Sequence, residues 1–177
     1  MSLPLSFGTR ILGAGALLLL SFLGIGWLLP GTWSADARTE VAAPPAEVLL
    51  HLDAAAAWRG WTPWPDSGLV AEGPERGPGS RLEWDDRELG AGVFEIVEVT
   101  DTLVRYRVEV QEGRMTTTGT VRLEATATGT RIHWSERGDF GRNPLMGYWA
   151  RFMRRAQSRE MEKGLRRLAE LLEGRDP

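Results

Sequence analysis

Two histidines, His51 and His133, and no cysteine leave this chain few ways of doing chemistry. A zinc site draws three or four ligands chiefly from those two residue types, so no metal site is expected. No serine stands in a nucleophile-elbow context, and Gly77-Pro78-Gly79 is not followed by the helix that a phosphate-binding loop requires. What remains is carboxylates and aromatic rings. General acid–base catalysis asks for little more. Two acids, Glu136 and Glu160, have the periodicity of inward-facing residues. Such a carboxylate can anchor the polar head of a ligand, or act as a base if burial raises its pKa. It can equally be a structural partner of an arginine or an acid at a domain edge, because an unpaired buried charge is costly. Glu136 lies near a strand end and takes the structural reading; Glu160 stays open between the two.

The element that must position these groups is a long C-terminal helix, Asn143 to about Glu173. Asn143 can cap it, Pro144 suits its first turn and Gly174 stops it. Its length is roughly 45 Å at ~1.5 Å per residue. An apolar seam runs through Met146, Trp149, Met153, Ala156, Met161, Gly164, Leu168 and Leu171. Glu160 interrupts that seam. So does Gly164, whose helix cost of about 1 kcal/mol against alanine points to close backbone approach.

Before the helix, Arg38-Thr-Glu-Val-Ala alternates as a first strand, and two short helical pieces follow, Ala46 to Leu52 and Ala54 to Trp58. Trp58, Trp61 and Trp64 then cluster between prolines, as loop packing or as a lid over a ligand. Residues 65–79 read as a Gly/Pro loop. Five strands are expected at Ser80–Asp85, Gly92–Val99, Thr102–Gln111, Met115–Thr126 and Gly129–Arg137. Val104, Tyr106, Val108 and Val110 oppose Arg105, Arg107 and Glu109, so one sheet face is dry and the other wet. Trp84, Phe94, Ile96, Tyr106, Trp134, Trp149 and Met153 should all face the space between sheet and helix, either filling it or lining it.

Residues Ile11 to Leu29 carry no charge, close to the ~20 needed to cross a bilayer, with Trp27 near the interfacial end. The run exceeds the ~7–15 residues usual in a cleavable signal, although Ala35-Asp36-Ala37 resembles a cleavage site. The expected division is a tail at 1–10, a transmembrane anchor at 11–30, a linker at 31–37 and one domain at 38–177. With Arg10 before the span, the N-terminus is placed inside and the domain outside the membrane. Arg10 is the sole charge in the first thirty residues, so the rest holds 20 basic and 24 acidic side chains. That balance argues against a nucleic-acid partner. On the final helix Arg142, Arg151, Arg154, Arg155 and Arg159 meet no acid before Glu160, a face for solvent and loop acids or for anionic headgroups.

The order strand, two short helices, five strands, long helix resembles the polyketide cyclase/dehydrase and lipid-transport (START-like, helix-grip) superfamily over residues 38–173. The stretches that carry the resemblance are Trp58…Trp61-Thr-Pro-Trp64, Gly77-Pro-Gly79-Ser-Arg-Leu-Glu-Trp84, Gly129-Thr-Arg-Ile-His-Trp134 and Met161-Glu-Lys-Gly164-Leu165…Leu168. The resemblance implies an α+β helix-grip fold, in which a curved antiparallel sheet of about six strands wraps the long helix. It also implies a cavity for a small hydrophobic or lipid-like molecule, in contact with Trp84, Phe94, Ile96, Tyr106, Trp134, Trp149, Met153 and Glu160. No cofactor is implied. A cyclase or dehydrase using Glu160 or Tyr106, and a non-catalytic interaction domain with a filled core, are the other readings.

Overall fold

The computed structural model describes residues 7–64, 68–87, 90–111, 113, 115–141 and 143–174. An apolar helix α1 (Phe7–Leu28) leads into β1 (Thr32–Val41), a short helix α2 (Pro45–Leu49) and a 3₁₀ turn (Ala55–Gly60). Then come β2 (Val70–Glu72), β3 (Arg81–Asp86), β4 (Gly90–Thr100), β5 (Leu103–Val110), β6 (Met115–Thr126), β7 (Gly129–Asp139) and the long helix α3 (Pro144–Leu172). The strands form one antiparallel sheet in the order β1-β7-β6-β5-β4-β3-β2. This is the helix-grip architecture that the order of elements predicts.

Beyond shifts of a few residues at element ends, two differences from the sequence reading stand out. The linker expected at 31–37 is strand: β1 begins at Thr32 and pairs with β7 from Thr32↔Asp139 onward. Its alternation, with Trp33, Ala35 and Ala37 buried, is carried by one large and two small residues, which weakens the apolar signal. The seventh strand, β2, lies within the stretch read as a loop. All three of its residues are exposed, so it has no dry face to leave a pattern.

Cross-strand close packing lets the sheet curve. Trp33 lies over Gly138, Trp84 over Gly92 and Tyr106 over Gly119, each aromatic ring covering the glycine paired with it on the next strand. A register shift between Ile96 and Glu98 adds a bulge to β4, which bends and twists the strand locally. The dry face holds Leu82, Trp84, Phe94, Ile96, Val104, Tyr106, Val121, Ile132 and Trp134. Met161, Gly164, Leu165 and Leu168 of α3 close over it.

The ends of α3 are as expected. Asn143 Oδ1 accepts from the Leu145 amide at 2.9 Å, Pro144 opens the first turn, and Gly174 takes a φ of +67° beyond the last. Gly164 sits where the chain needs it small. A methyl there would come within 3.2 Å of Trp134 Cζ3 and 3.4 Å of the Trp61 carbonyl oxygen.

Candidate functional site

Three elements converge on a cavity of about 240 Å³ between sheet and helix. The sheet contributes Phe94 from β4, Tyr106 and Val108 from β5, and Trp134 and Glu136 from β7; α3 contributes Gln157, Glu160 and Met161. The segment after the 3₁₀ turn supplies Thr62, Pro63 and Trp64, and the turn itself Trp58. Larger hollows exist among the described residues. One, about 670 Å³, lies on the wet face of the sheet among Arg38, Arg105, Arg122 and Arg137. Another, about 530 Å³, runs past Trp84 and Val70. Neither is roofed by α3.

Glu136 lines the cavity and is 5% exposed, with no cation among the described residues bonded to it. One rung of the sheet explains its surroundings. Ile96, Tyr106, Gly119, Glu136 and Ala35 pair in sequence across five strands. Since Gly119 has no side chain, Tyr106 can lie across it and its hydroxyl donates to Glu136 Oε1. Trp134 Nε1 donates in turn to the Tyr106 oxygen at 2.6 Å, and Gln157 Nε2 donates to Glu136 Oε2 at 2.6 Å. Each carboxyl oxygen therefore has a neutral donor.

Burial pushes the Glu136 pKa up, against the opposing pull of the Tyr106 and Gln157 hydrogen bonds. Tyr106 is pushed well above the ordinary phenol value by its own burial, then by the charge and hydrogen bond of Glu136. The phenol thus stays protonated beside a carboxyl that holds its proton more tightly than a free one.

Around this polar group stands a wall of rings. Trp58 lies 4.9 Å from Phe94, 4.8 Å from Tyr106 and 5.7 Å from Trp134, ring centre to ring centre. Trp64 meets Phe94 edge-on at 5.5 Å. Trp58 is fixed by donating its indole N–H to the Leu52 carbonyl at 2.9 Å, and Trp61 by donating to His51 at 3.2 Å. Trp58 and Trp61 are thus held as packing, and Trp58 and Trp64 form part of the cavity wall.

Of the residues expected to contact a ligand, Phe94, Tyr106, Trp134 and Glu160 do line this cavity. Trp84 and Ile96 are buried on the same sheet face but stand outside it, Trp84 packed edge-on against Trp64 at 5.4 Å. Met153 is half-buried against the core and also does not reach it. Trp149 is turned away altogether, 48% exposed, because the inward positions of its turn are taken by Gly147 and Ala150. The two acids exchange roles. Glu160 sits at the rim, its side chain 44% exposed and paired with Lys163 at 2.7 Å, while Glu136 is the buried one. Gln157 escaped the sequence reading, although it lies one helical step of four from both Met153 and Met161. A polar residue on that ridge was the available signal.

Among the described residues no group of three or more His, Cys, Asp or Glu side chains is placed to hold a metal.

The same fold recurs in solved structures. An uncharacterized protein from Rhizobium leguminosarum aligns with 81% of this chain and 95% of its own at 20% identity and a TM-score of 0.56. A protein from Rhodobacter sphaeroides aligns with 81% of this chain and 94% of its own at 22% identity and 0.54. The di-domain ARO/CYC StfQ from the steffimycin biosynthetic pathway aligns over 81% of this chain and 51% of its own, at 17% identity and 0.58. No curated protein matches the sequence. A family model matches residues 32–173, from the first residue of β1 to the end of α3, and by that match the chain belongs to the polyketide cyclase / dehydrase and lipid transport family.

Proposed function

We propose that this protein binds one small, mainly apolar molecule in the cavity between sheet and α3, with Glu136 as the anchor for a hydroxyl or amine on that molecule. The observation that carries the reading is a buried carboxyl, without an ionic partner among the described residues, in the lining of an aromatic-walled cavity. A carboxylate buried with neutral donors beside it keeps part of the cost of leaving water, which a polar group on a ligand can offset. Size narrows the ligand. A cavity of about 150 Å³ accepts benzene, and drug-sized sites begin near ~300 Å³. At about 240 Å³ the space suits one or two rings or a short chain, and a whole diacyl lipid does not fit.

The protein works tethered to a membrane. Helix α1 offers a 19-residue span, Arg10–Leu28, that is almost wholly exposed, unlike a helix buried in a soluble core. Cleavage after Ala37 would strip away the part of β1 that pairs with Trp134 to Asp139, including buried Trp33 and Ala35. That loss favours an anchor over a signal removed at this site. Arg10 and Arg38 balance one against one across the span, and the N-terminal amine tips the orientation to the N-terminus inside and the domain outside.

Catalysis is the second reading, and one observation favours it: a carboxyl with raised pKa hydrogen-bonded to a phenol in the cavity wall can pass a proton to or from a bound ring. One experiment tests the binding reading. A neutral naphthol probe titrated into the full-length protein should quench its tryptophan fluorescence with one-to-one stoichiometry. Glu136→Gln should weaken that binding about tenfold, the ~1.4 kcal/mol of one lost charge-assisted hydrogen bond. No saturable quenching, or equal affinity in the variant, would overturn the proposal.

A further inference from the structure

The first two turns of α3 are built inside out. Leu145, Trp149 and Phe152 occupy one outward ridge and are 51%, 48% and 61% exposed. The Trp149 and Phe152 rings lie 5.3 Å apart. The inward side of the same turns is Gly147 and Ala150, both buried. A helix packing on a soluble core shows the opposite arrangement, bulky in and polar out.

The small inward residues have a cause: α1 crosses α3 there. A methyl on Gly147 would come 2.9 Å from the Leu29 carbonyl oxygen and 3.1 Å from that of Gly26. Beside it the Tyr148 ring stacks on Phe22 at 4.5 Å and 2°, and its hydroxyl donates to the Phe22 carbonyl at 2.9 Å. These contacts set the level of α3 against α1. Phe22 lies six residues short of Leu28, the end of the apolar span, or about 9 Å along the helix axis. Amphipathic helices that lie in a membrane surface sink their apolar side roughly 5–10 Å below the headgroups. The two depths agree.

From this geometry we infer that residues 145–152 form an interfacial membrane element, seated in the bilayer beside α1, with Arg151, Arg154 and Arg155 reaching back to anionic headgroups. The charge pattern fits. These three arginines are exposed and make no ion pair with a described residue, and long basic side chains can bury their stems while the heads stay among phosphates. A second protein chain is the other possible cover for such a ridge. It would not account for the match in depth with α1. The inference rests on α1 spanning the membrane, and the test separates the two.

Because the chain has no cysteine, single sites can be spin-labelled without background. The full-length protein carrying Leu18→Cys, Leu145→Cys, Trp149→Cys, Phe152→Cys or Arg166→Cys would be placed in phosphatidylcholine–phosphatidylglycerol vesicles. Collision with oxygen, which concentrates in lipid, is then compared with collision with a water-soluble nickel chelate. Labels at Leu18, Leu145, Trp149 and Phe152 should favour oxygen, and the label at Arg166 the chelate. Leaving out phosphatidylglycerol should make the Phe152 label shallower; an unchanged depth would remove the headgroup role of the arginines. Water-like behaviour at 145, 149 and 152 with lipid-like behaviour at 18 would overturn the inference and leave the anchor standing. Water-like behaviour at 18 as well would take down both. Shielding from both reagents at 149 and 152 would assign the ridge to a protein partner and also overturn it.

Discussion

Glu136 is the one buried carboxyl among the described residues, and its neighbours explain why the sequence understates it. Its strand parity turns it inward, which was legible. Its partners were not, because they come from β5 and α3 and depend on Gly119 leaving a gap for the Tyr106 ring. The raised pKa has a testable sign. A carboxyl that holds its proton more tightly in the folded than in the unfolded state contributes stability below the ordinary value of 4.5. That contribution is lost as pH rises from there through the folded pKa, because over that window the folded state binds more protons. Wild-type protein should therefore lose stability across that interval, by about 1.4 kcal/mol for each unit that the pKa is raised. Glu136→Gln should lack the decline and be the more stable of the two on the alkaline side. Melting in detergent, followed by tryptophan fluorescence against pH, reads the difference; parallel curves would show that Glu136 titrates normally.

At the scale of elements, the second half of α3 was read correctly and the first half was not. From Met161 to Leu168 the helix faces a sheet, and bulky apolar residues mark the buried side. From Leu145 to Phe152 it faces α1, where close approach demands glycine and alanine, so the bulky residues mark the outside. A pattern of hydrophobicity cannot say which apolar environment it is meant for, protein or lipid. Gly164 belongs to the first regime and yields the clearest packing prediction. Gly164→Leu should destabilise the domain by about 1–3 kcal/mol despite leucine's higher helix propensity, because Trp61 and Trp134 already lie against that position. Thermal melting of the purified variant checks this, and an unchanged or higher midpoint would contradict the packing. The missed strand start at Thr32 has the same kind of origin. Ala35 and Ala37 are buried against β7 but too small to announce a strand.

At the scale of the whole molecule, α1 continues directly into β1 and crosses α3, so the two elements that flank the cavity domain in sequence meet at one end of it. The cavity lies farther along α3, at Gln157 to Met161. From Phe152 to Gln157 is about 8 Å of helix, which puts the proposed ligand site one to two turns from the proposed membrane surface. Periodicity cannot tell a cavity from a filled core, since the same parity serves both; the space among Glu136, Gln157 and the surrounding rings depends on how sheet and helix are set apart.

The central claim is that this interior holds a small molecule, and native mass spectrometry of the full-length protein released from detergent micelles tests it most directly. Protein incubated with a total membrane extract should carry a single adduct of one or two rings or a short chain, in one-to-one ratio. Val108→Trp, which fills the cavity from β5, should fold and lose the adduct. Bare protein in both cases, or an adduct that survives the filled cavity unchanged, would contradict the account.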